Sequence, residues 1–174
     1  MKEGWFKLNF DGASFGNPGK AVGGGIIRDS QGILVKGYAR SIGFTSSIIF
    51  ELWALRDGLR LADQIGIKQL EVELDAKVIA GLLNSKKNPI SAYAPLLFDC
   101  TYLLDKFPQV RVIHVFREVN KCADWFAKWG NIMKEDFAVF EFPFTTELEN
   151  LVAKDNNGLD YSKLVATIMA SVTA

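Results

Sequence analysis

The chain has 174 residues, 49% of them hydrophobic, with 20 Lys and Arg balancing 20 Asp and Glu. That length suits one sizeable core with an appendage. The balanced charge excludes the strongly basic surface of proteins that hold nucleic acid mainly by phosphate neutralisation, so any such binding is expected to be weak and local. Cys100 and Cys122 lack metal-ligand spacing and read as buried free thiols. Met1 to Phe6 show no long apolar run, and the apolar stretch from Leu164 is too short to span a bilayer. A soluble, intracellular, membrane-free protein is expected, with nucleus and cytoplasm not distinguished.

From Trp5 to Asp11 the residues alternate, Phe6, Leu8 and Phe10 against Lys7, Asn9 and Asp11, as in a half-buried strand. Asp11 closes that run and opens a glycine-rich turn through Gly19. Two further apolar runs, Gly23 to Arg28 and Ile33 to Ala39, flank Asp29-Ser30-Gln31-Gly32, a hairpin signal. From Glu51 the period becomes helical, with Leu52, Leu55, Leu59 and Ala62 on one stripe. Gly66 stops that helix, and Leu70, Val72 and Leu74 alternate with Glu71, Glu73 and Asp75 in a fourth strand.

Residues 77–83 and 93–107 read as helices and 110–116 as a fifth strand, rich in β-branched and aromatic residues. A helix from about Val119 to Trp129 closes the unit at Gly130. The predicted fold is α/β: a five-stranded mixed sheet, three antiparallel strands then two parallel, flanked by helices, over residues 1–130. Residues 131–174 form a C-terminal extension. It holds an aromatic patch (Phe137, Phe140, Phe142, Phe144), a capping box at Thr146-Glu147-Leu148-Glu149, and a last helix over Leu159 to Val172.

Asp11 and Asp75 take equivalent places at strand ends, Glu51 starts a helix that can lean over them, and Asp124 lies in the first turn of the closing helix. Each has an ordinary use as a turn residue, a dipole charge, a cap or a surface charge. Together, carboxylates that repel one another persist mainly where cations neutralise them or where some become protonated, and divalent cations are the natural partner. Magnesium favours such oxygen donors, and a pair of ions can activate water against a phosphodiester.

Four stretches, Asn9-Phe10-Asp11-Gly12 through Gly19, Phe50-Glu51-Leu52-Trp53-Ala54-Leu55, Val72-Glu73-Leu74-Asp75 and Arg117 through Asp124, resemble type 1 ribonuclease H domains, most closely the plant retroelement-derived, reverse-transcriptase-associated branch. With Trp5 to Asn9 and Phe142 to Gly158 the resemblance spans roughly residues 5–158. It implies the ribonuclease H-like fold and endonucleolytic hydrolysis of the RNA strand of RNA–DNA hybrids with two Mg2+ ions, Mn2+ being an alternative. The implied metal ligands are Asp11, Glu51, Asp75 and Asp124, with His114 as an auxiliary catalytic group. The implied substrate contacts are Gly12, Asn17, Ser46, Ser47 and Asn120, Asn17 reading ribose 2′-hydroxyls.

His114 also suits a satisfied core position on the alternation of Val110 and Val112. Ser46 and Ser47 stand where longer donors are usual, and Phe50, Leu74 and Ala76 where small or polar residues are usual. These departures leave as an alternative a catalytically weak or inactive module that binds nucleic acid or a protein partner. The aromatic extension is the expected surface for such a partner, and the chain is expected to be a monomer.

Overall fold

Alternation at the start of the chain builds β1 (Phe6–Gly16), which turns through Asn17 and Pro18 into β2 (Gly19–Arg28) and on to β3 (Leu34–Thr45). The strands pair antiparallel in succession. Asp29 fixes the second turn, its carboxylate accepting the N–H groups of Gln31 and Ile33, both at 2.9 Å. There follow α1 (Ser47–Gln64), β4 (Gln69–Leu74), α2 (Lys77–Asn84), α3 (Ala94–Leu104), β5 (Gln109–His114), α4 (Lys121–Trp129), β6 (Phe137–Phe140), α5 (Thr146–Asn156) and β7 (Ala166–Ile168). The structure, a computed structural model, describes residues 1–85, 91–115, 121–141, 145–156 and 166–168.

The strand order is β6-β3-β2-β1-β4-β5-β7. Its centre is the expected arrangement, with β4 parallel to β1 and β5 parallel to β4. The sheet is wider than five strands, because β6 pairs antiparallel with β3 and β7 antiparallel with β5. Part of the predicted aromatic patch is therefore an edge strand. Within the predicted last helix, Ala166–Ile168 is likewise extended, consistent with the strand preference of the β-branched Thr167 and Ile168; the rest of that stretch lies outside the described residues.

Two boundaries also shift. β1 does not end at Asp11 but runs to Gly16, because β2 offers it a paired backbone as far as Gly16 opposite Gly19. Helix α1 starts at Ser47, so Glu51 sits one turn inside it. At α5 the predicted capping box from Thr146 to Glu149 gives way to a single cap one residue earlier: Thr145 Oγ1 accepts the Leu148 N–H at 3.1 Å, the third residue after Thr145 being a leucine. Glu147 accepts the Trp125 indole N–H at 2.9 Å.

The sheet carries a core on each face. On one, Leu8, Leu70 and Val72 meet the α1 stripe of Leu52, Leu55 and Leu59 and Cys100 and Leu103 of α3; each fully buried leucine of this kind contributes about 1.5–3 kcal/mol. On the other, Ile26 meets Cys122 and Phe126 of α4 and Leu148 and Val152 of α5. A Cβ at Gly24 would lie 2.5 Å from the Ala127 nitrogen, so the bare glycine lets α4 rest directly on β2. Arg40 of β3 ties this scaffold to α1 by an ion pair with buried Asp57, and its guanidinium covers the rings of Trp53 and Phe137. Among the described residues no helix is long and apolar enough to cross a membrane.

Candidate active site

The parallel ladder between β1 and β4 stops at Asn9 opposite Glu73. Asp11 lies two residues further along β1, and Asp75 follows the last residue of β4. Glu51 descends from the second turn of α1. The three carboxylates place one oxygen each within 4.8 Å of one another. They line a cleft of about 660 Å3 together with Ser14, Phe50, Lys77 and His114. Asp11 is only 2% exposed, and its Oδ1 accepts the Gly12 N–H at 2.9 Å.

Like charges so close in a part-buried place repel and lose hydration. Hard carboxylate oxygens from three separate elements are the donor chemistry that a divalent cation such as magnesium takes, with water and substrate phosphate completing its shell. The residues present therefore fit a metal.

His114 is the last residue of β5 and lines the same cleft. One of its ring nitrogens, Nε2, lies 3.1 Å from the Asp75 backbone oxygen. It is half-buried at the cleft wall. Asp124 does sit in the first turn of α4. It is not in the three-carboxylate group; its Oδ2 accepts from Lys128 Nζ at 2.6 Å, one turn on.

Gly12 is the seat of the Phe50 ring, whose Cδ2 is 2.2 Å from where a Cβ would stand. Asn17 and Ser47 come together although 30 residues apart: Asn17 Oδ1 accepts the Ser47 N–H at 3.2 Å, and Asn17 Nδ2 reaches Ser47 Oγ at 3.5 Å. Ser46 is the N-cap of α1 through its backbone, with no side-chain cap. Asn120 lies outside the described residues. Sequence reasoning missed Lys77 as a cleft residue; its signal was its position two residues after Asp75.

An α/β sheet of this order, with carboxylates converging beside its parallel strands, defines a ribonuclease H-like domain. A family model described as reverse transcriptase-like matches residues 9–130, and the chain belongs to that family. It is 37% identical over 158 residues to an Arabidopsis thaliana protein named "Putative ribonuclease H protein", a match covering 89% of this chain and 25% of that one. The chain thus spans about a quarter of that relative's length. RNase H1 from the halophilic archaeon Halobacterium salinarum superposes with a TM-score of 0.69 at 26% identity, covering 73% of this chain and 97% of that one. LC11-RNase H1 in complex with an RNA/DNA hybrid shares the fold at a TM-score of 0.64 and 24% identity, over 71% of this chain and 94% of that one.

Proposed function

We propose that the protein hydrolyses the RNA strand of RNA–DNA hybrids, leaving a 3′-hydroxyl and a 5′-phosphate. The observation that carries this reading is the convergence of Asp11, Glu51 and Asp75 in one cleft. These three would hold two magnesium ions, or manganese in their place, with Asp124 joining from α4 on release from Lys128. When bound, the metals supply an activated water and stabilise the leaving oxygen.

The chain's own residues then orient and exchange protons. The Gly12 N–H holds one Asp11 oxygen, fixing the carboxylate's direction. His114, its Nε2 against the Asp75 carbonyl, stands at the cleft wall, placed to give or take a proton. Asn17, braced on Ser47, holds the β1–β2 turn against the start of α1, where its amide can meet ribose 2′-hydroxyls. Gly12, Ser46, Ser47 and Asn120 complete the substrate track. The fold shared with LC11-RNase H1, whose structure holds an RNA/DNA hybrid, supports the substrate class. In this reading the protein acts as an intracellular monomer, residues 1–130 carry the chemistry, and the extension beyond is docked through α5 and offers a surface to a protein partner.

The Asp124–Lys128 pair and the Phe50 ring seated on Gly12 favour a second reading, a binding module of weak or absent activity. Cleavage of an end-labelled hybrid in magnesium separates the two. RNA-strand products that disappear with Asp11→Asn support the enzyme, whereas intact RNA after incubation with folded protein selects the binding module.

A further inference from the structure

Directly beneath the candidate metal ligands lies a layer of polar residues to which the reaction assigns nothing. Asn9 and Glu73 face each other across the final rung of the β1–β4 ladder. They are 1% and 3% exposed. Asn9 Nδ2 donates to Glu73 Oε2 at 2.8 Å, and Lys7 Nζ donates to Glu73 Oε1 at 2.6 Å. The network continues sideways, Lys7 lying 3.6 Å from Glu71 and Arg111 lying 3.2 Å from Glu71 on its other side.

Period-two alternation puts Asn9 on the face of Asp11 and Glu73 on the face of Asp75, one step along each strand. Past this rung the backbone ladder between the two strands ceases. The Asn9–Glu73 bridge is thus the last described cross-strand tie before the two aspartates. A carboxylate as buried as that of Glu73 is tolerated because Lys7 neutralises it and Asn9 satisfies its second oxygen.

We propose that Asn9, Glu73 and Lys7 form a positioning layer that holds Asp11 and Asp75 at cation-binding distance and so sets the affinity of the site for a divalent ion. This rests on the metal-site reading above. Without a cation between them, Asp11 and Asp75 would repel each other. A strand pair free to part would let them separate and would have to be drawn together again on each binding event, whereas a fixed rung has the ligands preorganised.

The test is calorimetric titration of magnesium into the full chain, without substrate. Asn9→Leu keeps the branched outline of the side chain, with more bulk, and removes the donor; it is expected to weaken magnesium binding about tenfold, in line with losing a hydrogen bond to a charged group. Asn9→Thr restores a donor on a strand-compatible residue and should recover binding to within about threefold. Asn9→Ala makes the same deletion with less bulk should the leucine variant not fold. In hybrid cleavage the loss should appear as a higher magnesium requirement, with the rate restored at saturating metal.

Unchanged magnesium affinity in a folded Asn9→Leu or Asn9→Ala protein overturns the positioning layer and leaves the metal site standing. A lack of magnesium uptake by the unsubstituted chain overturns both.

Discussion

Replacing Gly12 by alanine probes the packing between the cleft and α1. A Cβ at this position would stand 2.2 Å and 2.8 Å from two carbons of the Phe50 ring, well inside van der Waals contact. Phe50 is 6% exposed, so its ring has little free space to move into. Gly12 is not among the glycines with positive φ, so alanine is compatible with its backbone and the penalty is steric. Overpacking of this kind costs about 1–3 kcal/mol, against about 0.4–1 kcal/mol regained from a stiffer unfolded chain. A net loss of about 1–2 kcal/mol corresponds to a fall in Tm of roughly 2–8 °C for a domain of this size. Phe50→Ala alone should cost about 3–5 kcal/mol, but it also empties the space that the new methyl needs. Urea denaturation of the two single variants and the double variant should therefore give a coupling of about 1–2 kcal/mol, Gly12→Ala being nearly neutral without the ring. Equal losses in both backgrounds, or no loss with Phe50 present, would refute the reasoning.

Burial pushes Asp57 above its ordinary value of 3.8, outweighing the opposing pull of Arg40, Arg56 and Arg60. A carboxylate raised on folding contributes stability below its unfolded pKa and loses it as pH rises through the folded one. Urea midpoints from acid to neutral pH should thus show the unsubstituted protein losing stability relative to Asp57→Asn above that ordinary value; a relative gain would mean that the arginines win. Burial also pushes the Cys100 thiol well up, and its Sγ lies 3.4 Å from the Leu52 carbonyl. With Cys122 buried too, neither thiol should react with a disulfide reagent at mildly alkaline pH until urea is added, and prompt labelling of the native protein would contradict this packing. Lys128→Met frees Asp124 from an exposed pair worth about 0.2–1 kcal/mol. Stability should hardly change while the magnesium midpoint for hybrid cleavage falls up to about fivefold; an unmoved midpoint would take Asp124 out of the site.

Period-two and helical patterns made the central strands and α1 legible, because Leu8, Leu70 and Leu55 must all face one core. The same patterns could not place strand ends. Asp11 stands mid-strand because β2 supplies partners for Gly12 to Gly16, a tertiary pairing that overrides turn-forming local residues. Edge strands β6 and β7 were hidden for a similar reason: their pairing partners, β3 and β5, are remote in sequence. At the site, the grouping of Asp11, Glu51 and Asp75 was readable from strand parity and helix phase. The capture of Asp124 by Lys128 was present as an i,i+4 spacing but competes with a role across the cleft, and spacing alone does not rank the two. The layer of Lys7, Asn9, Glu71 and Glu73 was visible as the polar half of each alternation, though not its burial.

The most direct measurement offers one sequence as RNA–DNA hybrid, duplex DNA and duplex RNA to the folded protein in saturating magnesium, with product ends identified. Cleavage is expected in the RNA strand of the hybrid alone, with 3′-hydroxyl and 5′-phosphate ends, and Asp11→Asn, Glu51→Gln and Asp75→Asn should each lower it at least about a hundredfold. Uncut hybrid, or an Asp11→Asn variant as active as the unsubstituted chain, would contradict a catalytic role for the three carboxylates.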